Sequence, residues 1–143
     1  MIKKISCLGF AMVMTLSIML VFATPTDAYR AVKTVNKVTS KADLPRTASG
    51  GCGNYKAHSS TTRTGFKKLY HNVSFYTIGG SVSFKGAGVS GSGSSPGYTK
   101  STTGKSYYSS GNVCGSGLWL YLGMFTTTEV DYSNRTYTAT AKI

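Results

Sequence analysis

Beyond residue 28 no stretch of this chain places apolar side chains at the i, i+3, i+4, i+7 spacing of a helix face. From Phe66 onward it is built instead from Tyr, Phe, Val, Thr and Ser, with glycine at frequent intervals. The first group fits a pleated, half-buried surface, and serine and glycine let the chain turn. Val73, Phe75 and Thr77 alternate with Ser74, Tyr76 and Ile78; Val82 and Phe84 alternate with Ser81, Ser83 and Lys85. Such short alternating runs predict an all-β chain, a small antiparallel β-sandwich or barrel.

Glycine placement suggests the connections. Gly79-Gly80 separates two alternating runs and predicts a tight hairpin turn between Leu69–Ile78 and Ser81–Val89, because both positions tolerate positive φ. Gly86 to Gly97 reads as a mobile Gly/Ser loop. Tyr98–Thr102 and Ser106–Ser109 flank Thr103-Gly104-Lys105 and predict a second small hairpin. Leu118 to Val130 is the most hydrophobic stretch after residue 28. Leu118, Leu120, Leu122 and Met124 fall on one face, with Trp119, Tyr121 and Phe125 on the other. Apolar side chains on both faces predict a central strand, covered on both sides or lying at the heart of a sandwich. A turn at Asp131–Arg135 leads to a last strand, Thr136–Ile143.

The start of the chain bears on compartment. Lys3 and Lys4 precede an apolar run, Ile5–Ala23, and a polar segment ends at Ala28 with a second small residue, Thr26, two before it. This is the plan of a cleaved signal peptide over residues 1–28, with cleavage after Ala28, and it predicts a secreted, extracellular protein with no membrane span after cleavage. A retained anchor is the alternative; the run is of marginal length and is interrupted by Ser6, Gly9, Thr15 and Ser17. Residues 29–50 are polar and basic, with Arg30, Lys33, Lys37, Lys41 and Arg46. Valines every third residue suit neither strand nor helix, so this segment reads as a flexible basic arm or pro-region, with a short first strand as the competing reading. Residues 51–143 then form a single β-rich domain.

Cys7 would leave with the signal. Cys52 and Cys114 remain, and an even pair in an exported chain predicts one disulfide.

Charge and the shortage of acids restrict the chemistry. The whole chain carries a formal net charge of +12. Only Asp43, Glu129 and Asp131 are carboxylates beyond the signal, and Glu129 and Asp131 sit two apart on one strand end, as a solvated pair near Arg135 would. His58 and His71 are the only histidines. No nucleophile motif stands in a strand–turn–helix setting, and two cysteines do not make a zinc site. The sequence therefore predicts no enzyme, no cofactor and no metal.

What remains is lysine and arginine interleaved with tyrosine. Lys56, Arg63, Lys67 and Lys68 precede Tyr70; Lys85 follows Phe84; Lys100 and Lys105 lead to Tyr107 and Tyr108. Ammonium groups can neutralise phosphate or carboxylate while rings pack on sugars, so these residues form the expected polyanion-binding set. A charged surface that only keeps the chain soluble is the bland alternative. For an exported protein the expected partner is an anionic bacterial envelope component: teichoic acid, an anionic lipid or an acidic glycan, with nucleic acid less expected. The broad plan is similar to that of many small exported β-rich bacterial proteins, some bacteriocins among them, a likeness of class only, and an antimicrobial or competition role is one expectation for such a binder. A carbohydrate-binding or adhesive module, with Trp119 and the tyrosines as a stacking platform, is the second expectation. A secreted protease inhibitor presenting Gly86–Gly97 or Pro45-Arg46 is the third.

Overall fold

In the computed structural model the described residues are 29–44 and 51–143, without the side chains of 118–120. Eight strands run through them: β1 Tyr29–Val35, β2 Val38–Leu44, β3 Cys52–Thr61, β4 Lys68–Gly86, β5 Val89–Gly93, β6 Gly97–Thr102, β7 Ser106–Asp131 and β8 Thr136–Lys142. Every pairing is antiparallel. The order is β1-β2-β3-β7-β4-β5, with β6 also on β4 and β8 also on β7. The all-β class follows, as a nearly closed, barrel-like sheet. Among the described residues no helix is long and apolar enough to cross a membrane.

The spine is a ribbon of two long strands, β4 with 19 residues and β7 with 26. The first part of β4 pairs with the last part of β7, flanked by β6 and β8; the second part of β4 pairs with the first part of β7, flanked by β5 and β3. Between the two parts the register shifts at Ile78/Gly80. Gly79 has a φ of 85° and Gly117 a φ of 83°, a left-handed backbone that disfavours a Cβ. Bulges and bends let one strand pass from one sheet to another. The two halves of the ribbon accordingly meet face to face, with Ser40 of β2 and Ser59 of β3 hydrogen-bonded to Thr128 of β7.

Gly79-Gly80 is therefore a mid-strand bulge and not the expected hairpin turn. Two glycines permit either, and β7 is long enough to pair past the site. The tight turns fall instead at Asn36-Lys37, with φ of 48° and 65°, and at Ala87-Gly88, with φ of 52° and 73°. Positive φ at both central residues is the type I′ pattern. The expected mobile loop Gly86–Gly97 is corrected as well: Val89–Gly93 is β5, paired with Val82–Gly86. Its Gly91 leaves room for the Phe84 ring, which a Cβ there would approach to 2.8 Å. Strands form at both arms of the second expected hairpin, but β6 pairs with β4 across Leu69–Ser74.

The flexible-arm expectation fails for residues 29–44, which form the β1–β2 hairpin. In β2, Val38, Ser40, Ala42 and Leu44 are buried. The spacing of the valines is a poor guide because Val32 is exposed while Val38 is buried. The alternation that matters passes through a serine and an alanine. Residues 1–28, where the signal peptide is expected, and residues 45–50 lie outside the described residues.

Inside, Tyr55 packs edge-on to Phe75 at a centroid distance of 4.8 Å, and Phe75 lies tilted against Phe84 at 5.3 Å. Met124, Leu122, Val113 and Leu44 pack with them. A second cluster gathers Val38, Leu69, Val130 and Ala139. β7 is central, as expected, but over 121–125 its two faces differ: Leu122 and Met124 are buried, while Tyr121 and Phe125 are half-buried on the outside. The Cys52–Cys114 disulfide joins directly opposed residues of β3 and β7.

Candidate anion-binding surface

Cross-strand register places cations in rows on the outer face of β1-β2-β3-β7. One row is Val32, Lys41, His58 and Tyr108; the adjacent row is Arg30, Asp43, Lys56 and Ser110. Alternation forces this, because Ala42 and Ala57 beside them point into the core. Between the rows lies a shallow cleft of about 520 Å³, lined by Arg30, Lys41, Lys56, His58 and Tyr108 among others. Arg30 donates to Asp43 Oδ2 from Nη2 at 2.7 Å and from Nε at 3.1 Å. That pair is the single ion pair among the described residues. Partial burial, and secondarily the charge of Lys41, push the His58 imidazole below its usual range. Tyr108 is 57% exposed and presents its ring to solvent.

The residues expected to bind polyanions do not form one patch. Lys56 and Tyr108 line this cleft, and Lys85 stands on the same outer face, opposite Asn112. Lys68 and Tyr70 lie on the other half of the ribbon, opposite Asp131 and Glu129. Lys100 is half-buried on β6, opposite His71. Tyr107 packs inward, 5.1 Å from the His71 ring. Arg63, Lys67 and Lys105 belong to the connections at one end of the barrel. The cleft also uses Arg30, Lys41 and His58, which the sequence pattern does not assign to a site. Arg30 and Lys41 fall within the expected arm, and only the hidden alternation of β2 would move them into the sheet.

His71 belongs to the interior of the barrel. It is fully buried, with Nδ1 2.7 Å from Ser59 Oγ and Nε2 2.6 Å from Ser109 Oγ. The chain of hydroxyls continues to Thr128 and Ser40 on one side and to Tyr98 and Tyr55 on the other. No carboxylate belongs to this chain, and no side chain in the Ser59–His71–Ser109 run meets solvent. It ties five strands together as a satisfied polar network. Of the acids, Glu129 accepts from Asn72 at 3.1 Å and Asp131 from Thr136 at 3.4 Å. Among the described residues no three His, Cys, Asp or Glu gather as a metal site.

A second outward feature is aromatic. The Tyr76 ring lies 5.9 Å from that of Tyr121 and 5.0 Å from that of Phe125, and Ile78 beside them is 56% exposed. Tyr76 lies across Gly123, where any Cβ would meet its ring. Burial and the neighbouring Tyr121 push the Tyr76 phenol up to about 12. Lys142 lies 5.7 and 5.2 Å from the Tyr76 and Phe125 ring centroids.

Compared with known proteins, the chain matches no family model and no curated protein sequence.

Proposed function

We propose that this is an exported, non-enzymatic cationic protein that binds anionic polymers of the bacterial cell envelope, with an antimicrobial or competitive role as the consequence. One observation carries the reading. Arg30–Asp43 is the single ion pair among the described residues, so Lys41 and Lys56 of the outer rows are left without an ion-pair partner there. Uncompensated charge on a rigid sheet attracts polyanions and weakens with salt. The disulfide, and the lack of a membrane-crossing helix among the described residues, are compatible with secretion. The test is binding to purified cell wall across a salt series. Steep loss of binding with salt is the expected result; salt-independent binding, or none at low salt, would sink the reading.

The Tyr76–Tyr121–Phe125 platform favours a second reading, a carbohydrate-binding module in which rings stack on sugar faces. It requires binding to neutral glycans that survives high salt and falls in Tyr121→Ala.

A further inference from the structure

We propose that the end of the barrel formed by the β1–β2 turn, the β3–β4 connection and the β7–β8 turn is a built site for one phosphate group, held by Arg63, Arg135 and Lys37. The inference rests on reading the protein as an anion binder and assigns that binding a specific place, away from the outer-face cleft.

Hydrogen bonds fix the three segments to one another. Arg63 Nε donates to Asn36 O at 2.6 Å. Lys37 O accepts from Thr61 Oγ1 at 2.9 Å and from Thr62 N at 3.1 Å. Tyr132 donates its hydroxyl to Thr64 O at 2.9 Å, and its backbone N–H to Arg135 O at 2.9 Å. The cleft so framed has a volume of about 310 Å³ and is lined by Lys37, Thr62, Arg63, Thr64, Tyr132 and Arg135.

Two of its cations lie near aromatic rings. The Arg63 guanidinium carbon lies 3.5 Å from the centroid of the Tyr137 ring, and that of Arg135 lies 5.4 Å from the same centroid. Tyr132 stands edge-on to Tyr137 at 5.7 Å and has Arg135 5.8 Å from its own centroid. The close contact with Tyr137 restricts Arg63 before any ligand arrives, which lowers the entropy lost on binding. Among the described residues the Arg63 guanidinium donates only from Nε, which leaves its two terminal nitrogens for a bidentate contact. None of the three cations has a carboxylate within ion-pair distance among the described residues. Lys37 also holds a φ of 65°, where asparagine or glycine is the cheaper residue. Three cations lining one cleft suit a group with several charged oxygens, a phosphate or phosphodiester, better than a lone carboxylate.

The experiment is an amide-resolved NMR titration of the purified, oxidised protein with inorganic phosphate, with chloride at matched ionic strength as control. Shifts that saturate and centre on Lys37, Arg63 and Arg135 are expected. Arg135→Gln, at an exposed position, and Lys37→Asn, which keeps the turn, should each weaken binding about tenfold, whereas Lys33→Gln, at an exposed position of β1 that lines neither cleft, should not. Shifts spread over all basic positions, or reproduced by chloride, overturn the site; if cell-wall binding persists, the broader reading survives that failure. Absence of cell-wall binding at low salt together with saturable phosphate binding here would instead remove the broader reading and keep the site. Two carriers identify the source of the phosphate: a glycerol-phosphate polymer and phosphatidylglycerol vesicles. Weaker binding of Arg135→Gln to the polymer assigns the polymer, and weaker binding to vesicles assigns the lipid headgroup. An unchanged affinity for both carriers overturns the site as a determinant of binding.

Discussion

His71 is held neutral at the centre of the molecule. Burial, and secondarily the charge of His58, push its imidazole down to about 4. In the unfolded chain the same group titrates near 6.5. Between those values the unfolded chain binds more protons than the folded one, so stability falls as pH falls through that window. Each pH unit between the two values removes about 1.4 kcal/mol, and the loss reaches roughly 3 kcal/mol below pH 4. Urea midpoints at pH 7 and pH 4.5 should differ accordingly, and His71→Gln should lower the pH 7 midpoint while flattening the difference. A midpoint unchanged between the two would contradict this account. Gly111 makes a second residue-scale case. A Cβ there would meet Lys85 O and would lie 2.6 Å from Gly86 Cα and 2.9 Å from Tyr55 Cε1. These are mostly backbone atoms in a paired strand, so Gly111→Ala should cost about 1–3 kcal/mol in chemical denaturation.

At the scale of elements, the ribbon of β4 and β7 carries the fold, and β3 is fastened to it by Cys52–Cys114 across a sequence separation of 62. Closing a loop of that length restricts the unfolded chain by about 4 kcal/mol in the chain-entropy account. Reduction, or Cys52→Ser with Cys114→Ser, should lower the unfolding free energy by that order. A loss well below 1 kcal/mol would mean the sheet pairing alone positions β3. Alternation made β8 and the two arms of β4 legible in the sequence. It did not make β2 legible, because Ser40 and Ala42 occupy buried positions that a pattern of large apolar residues does not mark. Nor did it distinguish a turn from a bulge at Gly79-Gly80, since both conformations use the same glycine freedom.

The molecule as a whole is a basic body with few internal counter-charges. On the proposed function, binding to a phosphate polymer should fall as salt rises, and Lys41→Gln with Lys56→Gln should lower the slope of log affinity against log salt by up to about two, one per cation removed. An unaltered slope would place the contact elsewhere, with the barrel end as the next surface to vary. Strand register decides which cations act together. Lys56 and Tyr108 share a cleft with Arg30 and Lys41, whereas Lys68 and Tyr70 face the opposite way beside two carboxylates.

By itself the sequence determined the all-β class, the disulfide and the excess of positive charge. These follow from residue type, local alternation and cysteine count, which need no knowledge of distant partners. Only the tertiary structure decided that residues 29–44 belong to the sheet, that β4 and β7 bend together at glycines, and which cations share a surface. Those outcomes depend on pairing between segments far apart in the chain. A shift of one residue in register turns every side chain of a strand to the other face.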